Sequence, residues 1–160
     1  MGDQVGAALS GRLVYVPVEE CARVRVLQGA PEAVSSLFAT CCRINALYMI
    51  ARAGSGHIGS SFSCMDILSC LHLIEMQEED LFFSSKGHDA PALYSMLIGL
   101  GRLDAEMLHR LRRLGGLPGH PDVGTPGIVT NTGSLGMGVS KAKGVIKADR
   151  LLGRKRRVFV

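Results

Sequence analysis

The sequence predicts an α/β layered domain, and three observations carry that prediction. Apolar residues recur with helical spacing in segment after segment. Two short β-prone runs, at 80–84 and 157–160, fall between and after those helices. The apolar share of 47% over 160 residues is enough for one core.

Residues 1–35 form a poorly assigned leader and 36–160 the domain proper. Within the leader, 13–16 and 24–27 are each compatible with a short strand, but Pro17 interrupts and no turn signal pairs them. The opening MGDQVGAALSG has no basic n-region and no long apolar run, so no signal peptide is read. The first clear helix carries Leu37, Cys41, Ile44, Tyr48 and Ala51 on one stripe, flanked by Phe38 and Leu47. Ser35 or Ser36 is the expected cap, and Gly54 the expected left-handed stop.

A second helix is expected over 63–75, apolar nearly all round and therefore buried. After the short strand at 80–84, Asp89 is placed to cap a helix with Pro91 in its first turn, and Leu93, Met96, Leu97 and Leu100 face the core. Asp104 caps the next helix, whose stripe is Met107, Leu108, Leu111 and Leu114. Gly115 ends it, and Arg110, Arg112 and Arg113 lie near its C-terminal dipole. A last helix is expected from about 139 to 152, ending at Gly153, before the strand at 157–160. The basic run Arg154 to Arg157 reads as a solvated turn. The chain stops in mid-strand, which predicts a cut segment.

Charge and composition narrow the partners. A net charge of +4 suits an acidic or phosphorylated ligand, while the absence of tryptophan and of aromatics interleaved with basic residues argues against nucleic acid. No uninterrupted apolar run reaches the roughly 18 residues of a membrane span. Five cysteines with no C-x-x-C and no metal spacing read as free thiols of a reducing, cytoplasmic compartment.

The chemistry concentrates in glycine turns. Three of the five histidines lie there: His57 in GSGHIG, His88 in KGHDAP and His120 in PGHPD. Imidazoles at such turns exchange hydrogen bonds and protons near neutral pH. A zinc site is not supported by any cysteine or carboxylate motif. His72 and His109 fall on helices and receive no role. The stretch 114–138 is about a third glycine with three prolines, and ends in GSLGMG before a helix. A loop of that composition is functional when ordered, and its end suits an anion at a helix N-terminus. It is neither the dinucleotide fingerprint nor a P-loop.

Taken together, these segments resemble the N-terminal, diphosphate-binding part of the transketolase family. AGSGHIG (53–59), SSKGH (84–88) followed by APALY (90–94), PGHP (118–121), TPG (125–127) and TGSLGMG (132–138) follow the family order over residues 36–160. Ile58 and Ser134 look most like the split transketolases, whose halves are separate chains. The resemblance implies a thiamine diphosphate-binding fold in part, with a parallel sheet flanked by helices. It implies thiamine diphosphate and magnesium as cofactors, and transfer of a two-carbon ketol unit between sugar phosphates.

On the family pattern His88 contacts the diphosphate, Gly133, Ser134 and Leu135 hold the thiamine, and His57 and His120 bind sugar hydroxyls and assist proton transfer. The family's metal-binding Gly-Asp-Gly turn, its downstream asparagine and its pyrimidine-binding domain do not occur in these 160 residues. No metal ligand is therefore assigned, and the segment is expected to be inactive alone and to need a C-terminal transketolase subunit or domain in a homo- or hetero-oligomer. Two alternatives stand beside this reading. One is a non-catalytic remnant that pairs with a full-length partner; the other is a related thiamine enzyme such as deoxyxylulose-phosphate synthase or a decarboxylating dehydrogenase subunit.

Overall fold

The computed structural model describes residues 12–160. The first eleven residues of the expected leader, with the signal-peptide reading, lie outside the described residues. Among the described residues there are six α-helices: α1 Val18–Arg25, α2 Pro31–Ala53, α3 Ile58–Ser63, α4 Met65–Cys70, α5 Ala90–Gly99 and α6 Met137–Leu151. A π-helical turn, Leu71–Glu75, continues α4, and a 3-10 turn, Ala105–His109, follows α5. Two strands, β1 Leu81–Phe82 and β2 Val158–Phe159, pair in parallel with Leu81 opposite Val158.

Helix α5 is the centre. All ten of its residues are buried. Ala92 and Met96 face a cluster with Cys21, Phe38, Cys42, Ala46, Met65 and Leu68. Leu93, Tyr94, Leu97 and Ile98 face a second cluster with Tyr48, Met49, Leu103, Leu108, Leu111 and Leu117. Each large side chain so buried contributes about 1.5–3 kcal/mol.

Helix α2 lies against this core with a different face from the one its large aliphatics suggest. Phe38, Ala39, Cys42, Asn45, Ala46, Tyr48 and Met49 are buried, whereas Leu37, Ile44 and Leu47 are exposed. Small residues let the helices approach closely: a Cβ on Gly99 of α5 would stand 3.0 Å from the Phe38 ring. Helix α2 has the length and mean hydropathy (1.4) of a membrane span, yet it packs against α1, α3, α4 and α5 as a core helix.

Its start also differs from expectation. Pro31 opens the helix after Ala30 without a side-chain cap, ahead of the expected cap at Ser35 or Ser36. Ser35 is used elsewhere, its hydroxyl donating to Ser69 Oγ at 2.9 Å inside the core. Gly54 takes the expected left-handed cap, with φ 68°.

The run 24–27, left unassigned in the leader, forms the end of α1 and the turn after it, and 13–16 form no strand. This part is nevertheless tied in. Val16 N–H donates to Asn45 Oδ1 at 2.7 Å and Asn45 Nδ2 returns a bond to Val16 O at 3.0 Å. The expected helix 63–75 is broken at Cys64, and Ile67 on it is 63% exposed.

Asp104 caps as expected, accepting from Glu106 N–H at 3.0 Å, but the turn stops at His109. Residues 110–117 fold back on themselves, with Leu117 N–H donating to Arg110 O and Arg112 N–H to Leu117 O. Arg110, Arg112 and Arg113 therefore do not sit at a helix C-terminus, and Leu114 is fully exposed.

The basic tail is not simply solvated. Arg156 pairs with buried Asp149 at 2.7 Å, and Arg157 with buried Asp80 at 2.7 Å. The Arg157 guanidinium, with help from Gln77 N–H, holds the Asp80 carboxyl down at about 2. Because that value lies below the ordinary 3.8, this contribution is complete above about pH 4 and disappears as pH falls through 2. We expect the gap in urea midpoint between the wild type and Asp80→Asn to close over that window; a constant gap would exclude the pair as its cause.

Candidate functional site

The glycine turns meet after β1 and before α6. GSGHIG links α2 to α3, because Gly54 stops one helix and Ile58 begins the next. SSKGH follows β1 and leads into α5. The imidazoles of His57 and His88 meet across this gap, tilted to one another with ring centroids 5.0 Å apart. Gly87 has φ 71°, and a Cβ there would stand 2.6 Å from Gly133 N and from Thr132 C. Only a glycine admits both that backbone shape and that contact. Gly133 in turn lies under the His120 ring, whose Cδ2 would be 3.3 Å from an added Cβ.

His120 is held by its own backbone. Its carbonyl accepts from the Tyr94 hydroxyl at 3.1 Å, and Thr132 N–H donates to Pro121 O at 3.3 Å. The GSLGMG end is pinned to the β1 turn by Gly138 N–H, which donates to Ser85 Oγ at 3.0 Å. Four sequence segments thus place His57, His88, Gly133 and His120 in one continuous row. His57 and His120 are exposed and His88 is half-buried.

Residues 34–157 match the family described as transketolase, thiamine diphosphate binding domain. The chain belongs to that family. Among its relatives, an apulose-4-phosphate transketolase subunit of Phocaeicola vulgatus is 35% identical over 113 residues, 64% of this chain and 40% of that protein. The 6-deoxy-6-sulfo-D-fructose transketolase subunit SqwG of a Clostridium species is 39% identical over 113 residues, 64% of this chain and 41% of that protein. Transketolase 2 of Escherichia coli is 37% identical over 123 residues, 68% of this chain but 18% of that protein. The chain thus spans about two fifths of the subunit-type relatives and about a fifth of the longer one.

In this transketolase domain, Ser134 and Leu135 are exposed at the approach to α6, which opens at Met137 after Gly136 in a left-handed cap (φ 80°). Leu135 and Gly136 also line a cavity of about 330 Å³ with Ser85, Lys86, Asp89 and Val160. Asp89 does not cap α5 with its side chain. Its Oδ2 accepts from Ser84 Oγ at 2.8 Å and faces Lys86 Nζ at 3.7 Å, while Oδ1 is buried with no partner among the described residues. Thr132 Oγ1 is likewise buried and unpartnered.

Ser85, Lys86, Asp89 and Thr132 were not among the sequence-derived site residues. The signal for the first two was their place inside SSKGH; Asp89 and Thr132 carry none beyond adjacency. Cys64, beside Asp89 Oδ2 at 3.7 Å, has its thiol pushed up to about 11 by burial first and by that carboxylate second, so it is an un-ionised wall residue.

The row of imidazoles and glycine backbone fits the organic cofactor of the family. Gly87 and Gly133 leave no side chain between the chains, and buried polar oxygens stand unpartnered alongside. A divalent ion is not provided for: among the described residues no group of three His, Cys, Asp or Glu side chains is positioned to hold one. His72 and His109 lie outside the row. His109 Nδ1 is hydrogen-bonded to the Tyr48 hydroxyl at 2.8 Å, and His72 packs edge-on against Phe82.

Proposed function

We propose that this chain is the diphosphate-holding part of a system that transfers a two-carbon ketol unit between sugar phosphates in the cytoplasm. The observation that carries this reading is the row His57–His88–Gly133–His120, assembled from four segments far apart in sequence. Thiamine diphosphate, when bound, supplies the carbon nucleophile and electron sink of the reaction. His88 holds the diphosphate, and Gly133, Ser134 and Leu135 pack on and hydrogen-bond the thiamine. His57 and His120, both exposed, bind sugar hydroxyls and move protons beside the reacting carbonyl. Groups in that role are worth about 10²–10⁴ in rate.

The working enzyme includes a C-terminal transketolase subunit or domain, and magnesium. Support comes from the subunit-type relatives and from the exposed apolar side chains of Leu37, Ile44, Leu47 and Leu135. The test combines calorimetry with turnover of xylulose 5-phosphate and ribose 5-phosphate. We expect no turnover by the purified chain alone, turnover when a C-terminal subunit is added, and a further loss of about 10²–10⁴ in that mixture with His120→Ala. Turnover by the chain alone, free of host enzyme, would overturn the partner requirement. Thiamine diphosphate binding that His88→Ala leaves unchanged would overturn the role of His88.

A further inference from the structure

A second cavity, of about 310 Å³, opens at the start of β1 and has no part in the row of turns. Phe82, Leu93, Leu97 and Ile128 make its walls largely apolar. Two groups in it are unused. His72 lies in the π-helical turn with both ring nitrogens buried and without a hydrogen-bond partner among the described residues. Arg102 joins none of the five ion pairs of the described residues. The remaining charged wall group, Asp80, is already neutralised by Arg157.

Burial and the nearby Arg102 charge keep His72 neutral at pH 7, so it offers one N–H donor and one bare acceptor. The cavity therefore presents a spare cation, an unsatisfied imidazole and an aliphatic wall, with no free anion. Buried polar groups in folded proteins find partners, and π-helical turns recur at ligand sites.

We propose that this cavity binds a small monocarboxylate with an apolar body. The carboxylate takes Arg102 and the His72 N–H, and the body lies against Phe82, Leu97 and Ile128. The space is about ten times the roughly 30 Å³ share of one water and admits about four to six carbons. This site is independent of the thiamine reading, which uses none of these residues.

The 160-residue chain is titrated at constant ionic strength with 4-methylpentanoate and, separately, with its neutral amide. Thermal midpoint and the His72 ring signals in NMR are followed. The acid at about five times its Kd is expected to raise the midpoint by about 2–4 °C and to shift the His72 signals. The amide at equal concentration does neither. Arg102→Gln, at an exposed side chain, keeps the unliganded fold and loses both responses. No response to the acid, an equal response to the amide, or a response that survives Arg102→Gln would each overturn the proposal.

Discussion

Acidification from pH 7 to pH 4 is expected to cost the folded chain about 3 kcal/mol through His72 alone. Burial, then the Arg102 charge, lowers the pKa of this imidazole from 6.5 to about 4. The unfolded chain takes up the proton near 6.5, whereas the folded chain resists until about 4. Stability is therefore complete above 6.5, falls between the two values, and is lost below 4. The charged groups near the ring are Arg102, which opposes its protonation, and Asp80, which is occupied by Arg157 and titrates lower still. The measurement is the urea unfolding free energy at pH 7 and pH 4 for the wild type and for His72→Leu. Whatever the substitution costs at pH 7, the variant should lose about 3 kcal/mol less on acidification. Equal losses would mean that His72 titrates normally.

Gly87→Ala should be strongly damaging, because the added methyl meets backbone in the segment that carries the next turn. The new Cβ falls 2.6 Å from both Gly133 N and Thr132 C, which are backbone atoms and cannot rotate away. The φ of 71° adds a left-handed penalty of about 1–2 kcal/mol, and overpacking about 1–3 kcal/mol more, for a total of about 2–5 kcal/mol. The effect should be local as well as global, because this contact carries His88 against the segment that packs under His120. Thermal midpoint measures the first part and thiamine diphosphate affinity the second. Gly153→Ala serves as the control, since Gly153 has a similar φ of 68° but open space around its Cβ position. Gly87→Ala no worse than Gly153→Ala would remove the close approach from the account.

The candidate site was more legible than the packing. Glycine–histidine turns announce themselves, because few structural roles need that composition, and the family order of the motifs followed from them. Helix α2 shows the opposite case. Its large aliphatics define a clear stripe, but burial goes to the neighbouring face, where Ala39, Cys42 and Ala46 permit close helix contact. Periodicity marks where apolar residues are, not which of two apolar faces is covered.

Asn45 was invisible for a related reason: it is buried only because Val16, 29 residues earlier, supplies both of its hydrogen bonds. The fold-back at 110–117 is also illegible in the sequence, since its leucines keep helical spacing while their backbone turns away after His109. Ser85 is legible only once α6 is seen to rest on it.

The pairing of β1 with β2 sets an order on synthesis. Arg157 is 77 residues from Asp80, and the two strands meet only when the second of them has left the ribosome. Until then α2, α4 and α5 can associate through local contacts, whereas Gly138 has no settled seat on Ser85. A nascent chain therefore holds a helical core before it holds the turns in register, and the half-built sheet edge is exposed for that interval. That order follows from topology rather than from any weakness of the core.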